Sequence, residues 1–271
     1  MTRIVGVHGV GNHLPDLDPA GAGAQLASAW KQALAKRQGT TVEVHVAYYA
    51  HLLNTEAAQG LSDDGDPTAP SLDAALAWAR ALGAPPEIAQ GRLTRPVRQI
   101  AEWMATRYGL DSKLVRWFVA TFLAEVEAYL GEREGAARHE ARLIVAQAVE
   151  RQCPDIVIAH SLGSVVAYEA LCTLPAGTVG LFVTIGSPLA MPDVVYDRVE
   201  TAGAQPAPRP AAVERWINVA DVGDLVAVPS RLAGRFDVDA DLSETIGVFD
   251  FHRARKYLES RTVAAMIAAA R

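Results

Sequence analysis

The stretch Asp155-Ile156-Val157-Ile158-Ala159-His160-Ser161-Leu162-Gly163-Ser164-Val165-Val166-Ala167 carries the reading that decides the fold. Ile156–Ala159 is a short apolar run, as expected of a strand buried on both faces of a parallel sheet. From Ser164 to Leu174 the pattern turns helical. Between the two stands one apex residue, Ser161.

The same alternation extends in both directions. Ile4–Val7, Val42–Tyr48, Leu181–Ile185 and Trp216–Val219 are further short apolar runs. Helical patterns cover Gly21–Lys36, Ala136–Gln152 and Arg253–Ala270. Strands alternating with helices imply right-handed crossovers and an α/β fold with a doubly wound, mostly parallel sheet. Breaks fall at Leu61–Pro70, at Ala84–Pro86 and at Thr201–Ala211, where proline fixes φ and removes a donor.

One segment departs from the alternation. From Ser71 to Leu130 helix follows helix, with Ile100, Trp103, Met104 and Arg107 at helical spacing. Leu114, Trp117, Phe118, Thr121, Phe122, Val126 and Tyr129 form a second stripe. Such stripes read either as amphipathic helices packed on the core or as a cap over the site; the expected organisation is a core of residues 1–60 and 131–271 with a helical cap inserted at 61–130. Glu102, Glu125, Glu127 and Glu132 interrupt these helices, which argues against a membrane-surface role.

A strand running into a helix through one residue is the setting of a nucleophile elbow. The turn lifts the apex hydroxyl clear of the sheet. The residues two before and two after must be small, because strand and helix pass close together. Here they are Ala159 and Gly163, with Ala where the usual pattern has Gly. Ser161 is therefore the candidate nucleophile, and a helix-capping serine is the bland alternative. The N–H of Leu162 would point at a developing oxyanion. The second backbone donor is expected in the loop His8-Gly9-Val10-Gly11-Asn12-His13, from Val10 first and Gly11 second. His8 reads as a side chain that holds this loop. The glycines do not make a phosphate loop, since neither a Walker lysine nor a G-x-G-x-x-G pattern accompanies them.

A Ser-acid-His order leaves one histidine after Ser161, namely His252. Trp216–Ala220 reads as the penultimate strand, and two aspartates follow it. Asp224 is favoured because it lies further into the turn after Gly223; Asp221 is the alternative, and the loser would shape the loop. Gly11, His160 and Ser187 are candidates for the substrate pocket, although Ser187 also reads as a turn residue.

Together, HGVGN (8–12), AHSLGSVVAYEAL (159–171), TIGSPL (184–189), WINVADVGDLVA (216–227) and the late DFH (250–252) with Tyr257 resemble a known family. It is the lipase-like, serine esterase branch of the α/β-hydrolases, similar to glycosylphosphatidylinositol inositol-deacylases and bacterial lipases. The resemblance covers residues 1–50 and 136–271 and not the helices between. It implies cleavage of a carboxylic ester without metal or cofactor. It also implies Asp224 as the triad acid.

Composition sets the remaining bounds. The chain has 271 residues, 50% of them hydrophobic, with a formal net charge of −6. That allows a sizeable core and offers no basic stripe for nucleic acid. The first strand begins at Arg3, so no secretory leader is expected. No apolar run reaches transmembrane length, and a cytoplasmic location is expected. Cys153 and Cys172 read as two buried thiols in a reducing compartment, with a disulfide as the alternative. The expected partner is a small-molecule or lipid-like ester, cleaved through an acyl-enzyme. Peptidase, amidase or acyltransferase chemistry on the same residues is one alternative, and an inactive interaction module is another.

Overall fold

The computed structural model describes residues 1–37, 42–53, 69–89, 96–201, 203–247 and 252–270. Six parallel strands form one sheet in the order β2-β1-β3-β4-β5-β6. They are β1 (Thr2–Val7), β2 (Val42–Ala47), β3 (Ile156–His160), β4 (Val179–Ile185), β5 (Val213–Asp221) and β6 (Ala240–Glu244). Successive side chains point to opposite faces, and both faces are covered. Val157 and Ala159 join one core with Phe182 and Trp216. Ile156 and Ile158 join the other with Val183 and Val219. The sheet is thus doubly wound, as the alternating sequence pattern implies.

Helix α1 (Pro19–Ala35) starts at Asp18, whose carboxylate accepts the Gly21 N–H at 2.7 Å. It packs in the same core as Ile4 and Ile156 through Trp30 and Leu34. After α2 (Ala50–Leu53), the helices α3 (Ala69–Ala81), α4 (Pro86–Ala89), α5 (Pro96–Tyr108) and α6 (Ser112–Leu130) follow with no strand among their described residues. They join the core on the opposite face of the sheet through Trp78, Ile100, Met104 and Phe122. Helices α7 (Ala136–Gln152) and α8 (Leu162–Leu171) cover that face too. The expected break at 61–70 lies mostly outside the described residues, and Ala69 and Pro70 already belong to α3.

Three expectations need correction. The stretch Ala240–Glu244 is a strand that the sequence pattern misses. It lies at the sheet edge, half-exposed, so selection for apolar residues is weak there. Its Asp241 accepts from Asn218, Leu232 and Ala233, which fixes the edge by polar bonds instead. The helix expected over Arg253–Ala270 is two helices, α9 (Ala254–Leu258) and α10 (Arg261–Ala269). Ser260 breaks them because its hydroxyl caps α10, accepting the Val263 N–H at 3.1 Å. Cys153 and Cys172 are free thiols, but both are exposed rather than buried. Cys153 ends α7 in the left-handed conformation (φ 41°), which turns it outward past the last helical residue. Among the described residues no helix is long and apolar enough to cross a membrane.

Candidate active site

The chain runs from β1 to the β2 side of the sheet and returns as β3 on the other side. A doubly wound sheet has a crevice at such a reversal, outside the carboxyl ends of the strands. The loop after β1 carries His8–Asn12, and the loop after β3 is the single residue Ser161. The topology therefore brings the two motifs together.

Ser161 has φ 55° and ψ −133°, a conformation that costs a non-glycine residue energy. Its side chain caps nothing, so the helix-cap reading does not describe it. The surrounding chain enforces the turn. The Ser161 N–H donates to the Ile185 carbonyl at 3.1 Å. Ser164 Oγ donates to the Ser161 carbonyl at 2.6 Å and bonds to Ser187 Oγ at 2.7 Å. Ser187 also accepts the Leu189 N–H, so this pocket candidate uses its hydroxyl to brace the elbow from behind. The demand for small residues is literal. A methyl on Gly163 would strike the carbonyl oxygen of His8, and that of Val7 at 2.5 Å. A methyl on Gly9 would meet Cβ of Ser161 at 2.5 Å.

His252 lies before α9, next to residues 248–251, which are outside the described set. Its Nδ1 bonds both carboxylate oxygens of Asp224, at 2.8 and 2.9 Å. A carboxylate only accepts, so Nδ1 is the donor in this pair. Asp224 is also held by the Val226 N–H at 2.9 Å and by the Tyr257 hydroxyl at 2.8 Å. Asp221, the alternative acid, is occupied otherwise. Its oxygens accept the Gly223 and Ile246 N–H groups, each at 2.7 Å, so it shapes the loop. Gly186 (φ 55°) forms the floor beneath the pair. A methyl there would lie 2.8 Å from Asp224 Oδ2 and 3.2 Å from His252 Cε1.

His160 stacks obliquely on His252 at 4.7 Å between ring centroids. Burial holds its pKa well below the ordinary histidine value, so it is neutral. Among the described residues, Ser161 Oγ, His252 Nε2 and both ring nitrogens of His160 are buried without a hydrogen-bond partner. Ser161 and His252 are thus not bonded to each other here. Unpaired buried polar atoms are costly, and such a cluster is what a site for a polar reacting group requires.

The β1 loop is held from three directions. The Tyr49 N–H donates to His8 Nε2 at 3.1 Å, so Nδ1 carries the proton, and it donates to the Gly9 carbonyl at 3.0 Å. Burial lowers the His8 pKa to about 4, which keeps this arrangement neutral. Asn12 Nδ2 donates to the carbonyls of Gly9 and Val10, at 2.9 and 3.1 Å. The Gly11 N–H donates to Glu125 Oε1 on α6 at 2.8 Å. That occupies Gly11, the second choice for an oxyanion donor and a pocket candidate. Among the described residues, the Val10 and Leu162 N–H groups have no partner.

Helix α6 roofs the site. Phe118 lies 5.3 Å from the His252 ring, and Trp117 packs over Gly11. Helix α3 ties in beside Asp224, because Trp78 Nε1 donates to the Leu225 carbonyl at 2.6 Å. No family model, curated protein or solved structure matches the chain. Function therefore rests on the residues themselves. Among the described residues, no group of three His, Cys, Asp or Glu side chains could hold a metal ion. Sequence reading missed Glu125, Gly186 and Phe118 as site residues. It quoted Tyr257 only within the family resemblance.

Proposed function

We propose that this chain is a serine hydrolase of the α/β-hydrolase kind, cleaving a carboxylic ester through an acyl-enzyme. One observation carries the reading. A strained serine, its hydroxyl unpartnered among the described residues, stands at a strand-to-helix apex, and the ring of the preceding His160 packs on a histidine whose Nδ1 proton is fixed by a buried aspartate.

In this mechanism Ser161 Oγ attacks the ester carbonyl while His252 Nε2 takes its proton. Asp224 stabilises the imidazolium that forms. The carbonyl oxygen becomes an oxyanion and accepts from the Val10 and Leu162 N–H groups, with the N-terminus of α8 adding its dipole. The tetrahedral adduct collapses, and His252 returns the proton to the leaving alkoxide. Water, deprotonated by His252, then attacks the acyl carbon and releases acid and free Ser161. The apolar roof of α6 limits access of bulk water to these steps.

Labelling by a fluorophosphonate probe, read as intact mass, tests the reading without knowledge of the substrate. Wild type is expected to gain one adduct, mapped to Ser161. Ser161→Ala and His252→Ala are expected to gain none while keeping the wild-type melting profile. Folded wild-type protein that remains unlabelled would overturn the assignment.

A further inference from the structure

Glu125 is a feature of the site that neither the triad nor packing explains. It sits on α6, only 6% exposed, and among the described residues no cation pairs with it. Burial raises its pKa to about 7, against which the Gly11 N–H bond acts. A carboxyl kept there costs stability that an apolar residue of similar size would not. Among the described residues, its one hydrogen bond goes to the loop that faces Ser161.

The geometry of that loop gives the bond a consequence. Peptide groups are planar, so holding a carbonyl aims the N–H on the opposite side of the same plane. The Gly9–Val10 peptide is held by its carbonyl, from His8 and Asn12. The Val10–Gly11 peptide is held at both ends, by Asn12 at its carbonyl and by Glu125 at its N–H. Asn12 spans the two planes, so they are coupled. With the Gly11 N–H occupied, the Val10 N–H is the one left for the oxyanion. Gly11 itself has φ 70° and no side chain to resist a flip, so the restraint has to come from outside the loop.

We propose that Glu125 is a positioning residue, through which the cap helix α6 holds the oxyanion loop in the orientation that presents the Val10 N–H to the reaction. The proposal rests on Ser161 being the nucleophile. It makes the cap part of the catalytic scaffold and not merely a cover. Glu125 touches no reacting atom and acts only through Gly11 and Asn12.

The test combines two readouts on wild type, Glu125→Ala and Glu125→Gln at pH 8. One is the second-order rate constant for fluorophosphonate labelling at Ser161. The other is the ¹H–¹⁵N resonance of the Gly11 amide, which reports the bond whether or not the protein reacts. Loss of a whole oxyanion donor costs about 100- to 1,000-fold, so a misaimed one should cost about 10- to 100-fold. Glu125→Ala is expected to label that much more slowly, with the Gly11 amide proton shifted upfield. Glu125→Gln keeps an acceptor oxygen and should recover most of the rate and the resonance position. A folded Ala variant that labels at the wild-type rate, or a Gln variant as slow as Ala, overturns the proposal. Faster labelling of the Ala variant also overturns it, since the carboxylate would then be an obstruction. Wild type that does not label at all sinks the hydrolase reading and this one with it. Labelled wild type with an indifferent Ala variant sinks this one alone.

Discussion

The hydroxyl of Tyr257 accepts the Asp221 N–H at 2.9 Å and donates to Asp224 Oδ2 at 2.8 Å, joining the loop-shaping aspartate to the paired one. Tyr257→Phe removes both bonds and leaves the ring in place. Urea denaturation is expected to show a loss of about 1–3 kcal/mol, the usual cost of stranding a buried polar group. The labelling rate is expected to fall as well, because Asp224 loses one of the donors that hold it against His252. A stability loss with no change in labelling would mean that Tyr257 serves the fold alone. Gly163→Ala is a sharper case. Its methyl would have to enter the space of two backbone carbonyls, that of Val7 in β1 and that of His8, which the Tyr49 hydroxyl holds. A soluble variant with the wild-type melting temperature would contradict that packing. Ser161 was legible as a strand-to-helix apex, His252 as the one histidine after it, and Asp224 as the favoured of two aspartates in one turn. Glu125 was not, because it lies 114 residues from Gly11 and reads as one more polar position on an amphipathic helix.

Helix α6 shows how one element can serve several partners. Its Phe118 faces His252, its Glu125 faces Gly11, and its Glu127 pairs with Arg198 at 3.0 Å. Near its end, the Tyr129 hydroxyl donates to Glu169 Oε2 on α8 at 2.7 Å. Glu169 is also paired with Arg138 of α7, and both side chains are almost fully buried. Three helices are therefore riveted at one carboxylate. Arg138→Met leaves that charge short of its main partner. The expected cost in urea denaturation is about 3–5 kcal/mol, as for other broken buried pairs. A neutral result would show that Tyr129, Arg142 and the Glu200 N–H suffice for Glu169. Helical periodicity predicted the helices of this region well. It could not say which side chains meet across them, since that depends on crossing geometry and not on spacing.

For the whole molecule, two buried groups pull the pH dependence of stability in opposite directions. Glu125 has a folded pKa of about 7 against an ordinary value of 4.5, so the unfolded chain ionises it first. Its effect on stability is unfavourable once ionised and grows as pH rises from 4.5 to about 7. His8 has a folded pKa of about 4 against 6.5, so its burial is tolerated above 6.5 and opposed as pH falls toward 4. Between about 4.5 and 6.5 the two partly cancel. Glu125→Gln removes one of them. Relative to wild type, the variant should gain stability between pH 5 and pH 8, by at most about 3 kcal/mol. Parallel urea denaturation at the two pH values measures it. An equal difference at both pH values would show that Glu125 does not titrate in this range.

What the sequence determined by itself was the alternation of buried strands and helices, the apex serine with its small neighbours, and the single histidine after it. These are local properties: a buried strand must be apolar, and a tight elbow must be small. The tertiary structure decided the rest. It decided between Asp224, which the sequence favoured, and Asp221, gave the His8 and Asn12 side chains their partners in the loop, and set Glu125 of α6 against the Gly11 N–H. It also found the polar edge strand β6, whose stability comes from Asp241 reaching residues of other segments. The division has a physical reason. Periodicity and turn chemistry are written within a few residues, whereas the partner of a buried hydrogen bond is chosen by the packing of segments far apart in the chain.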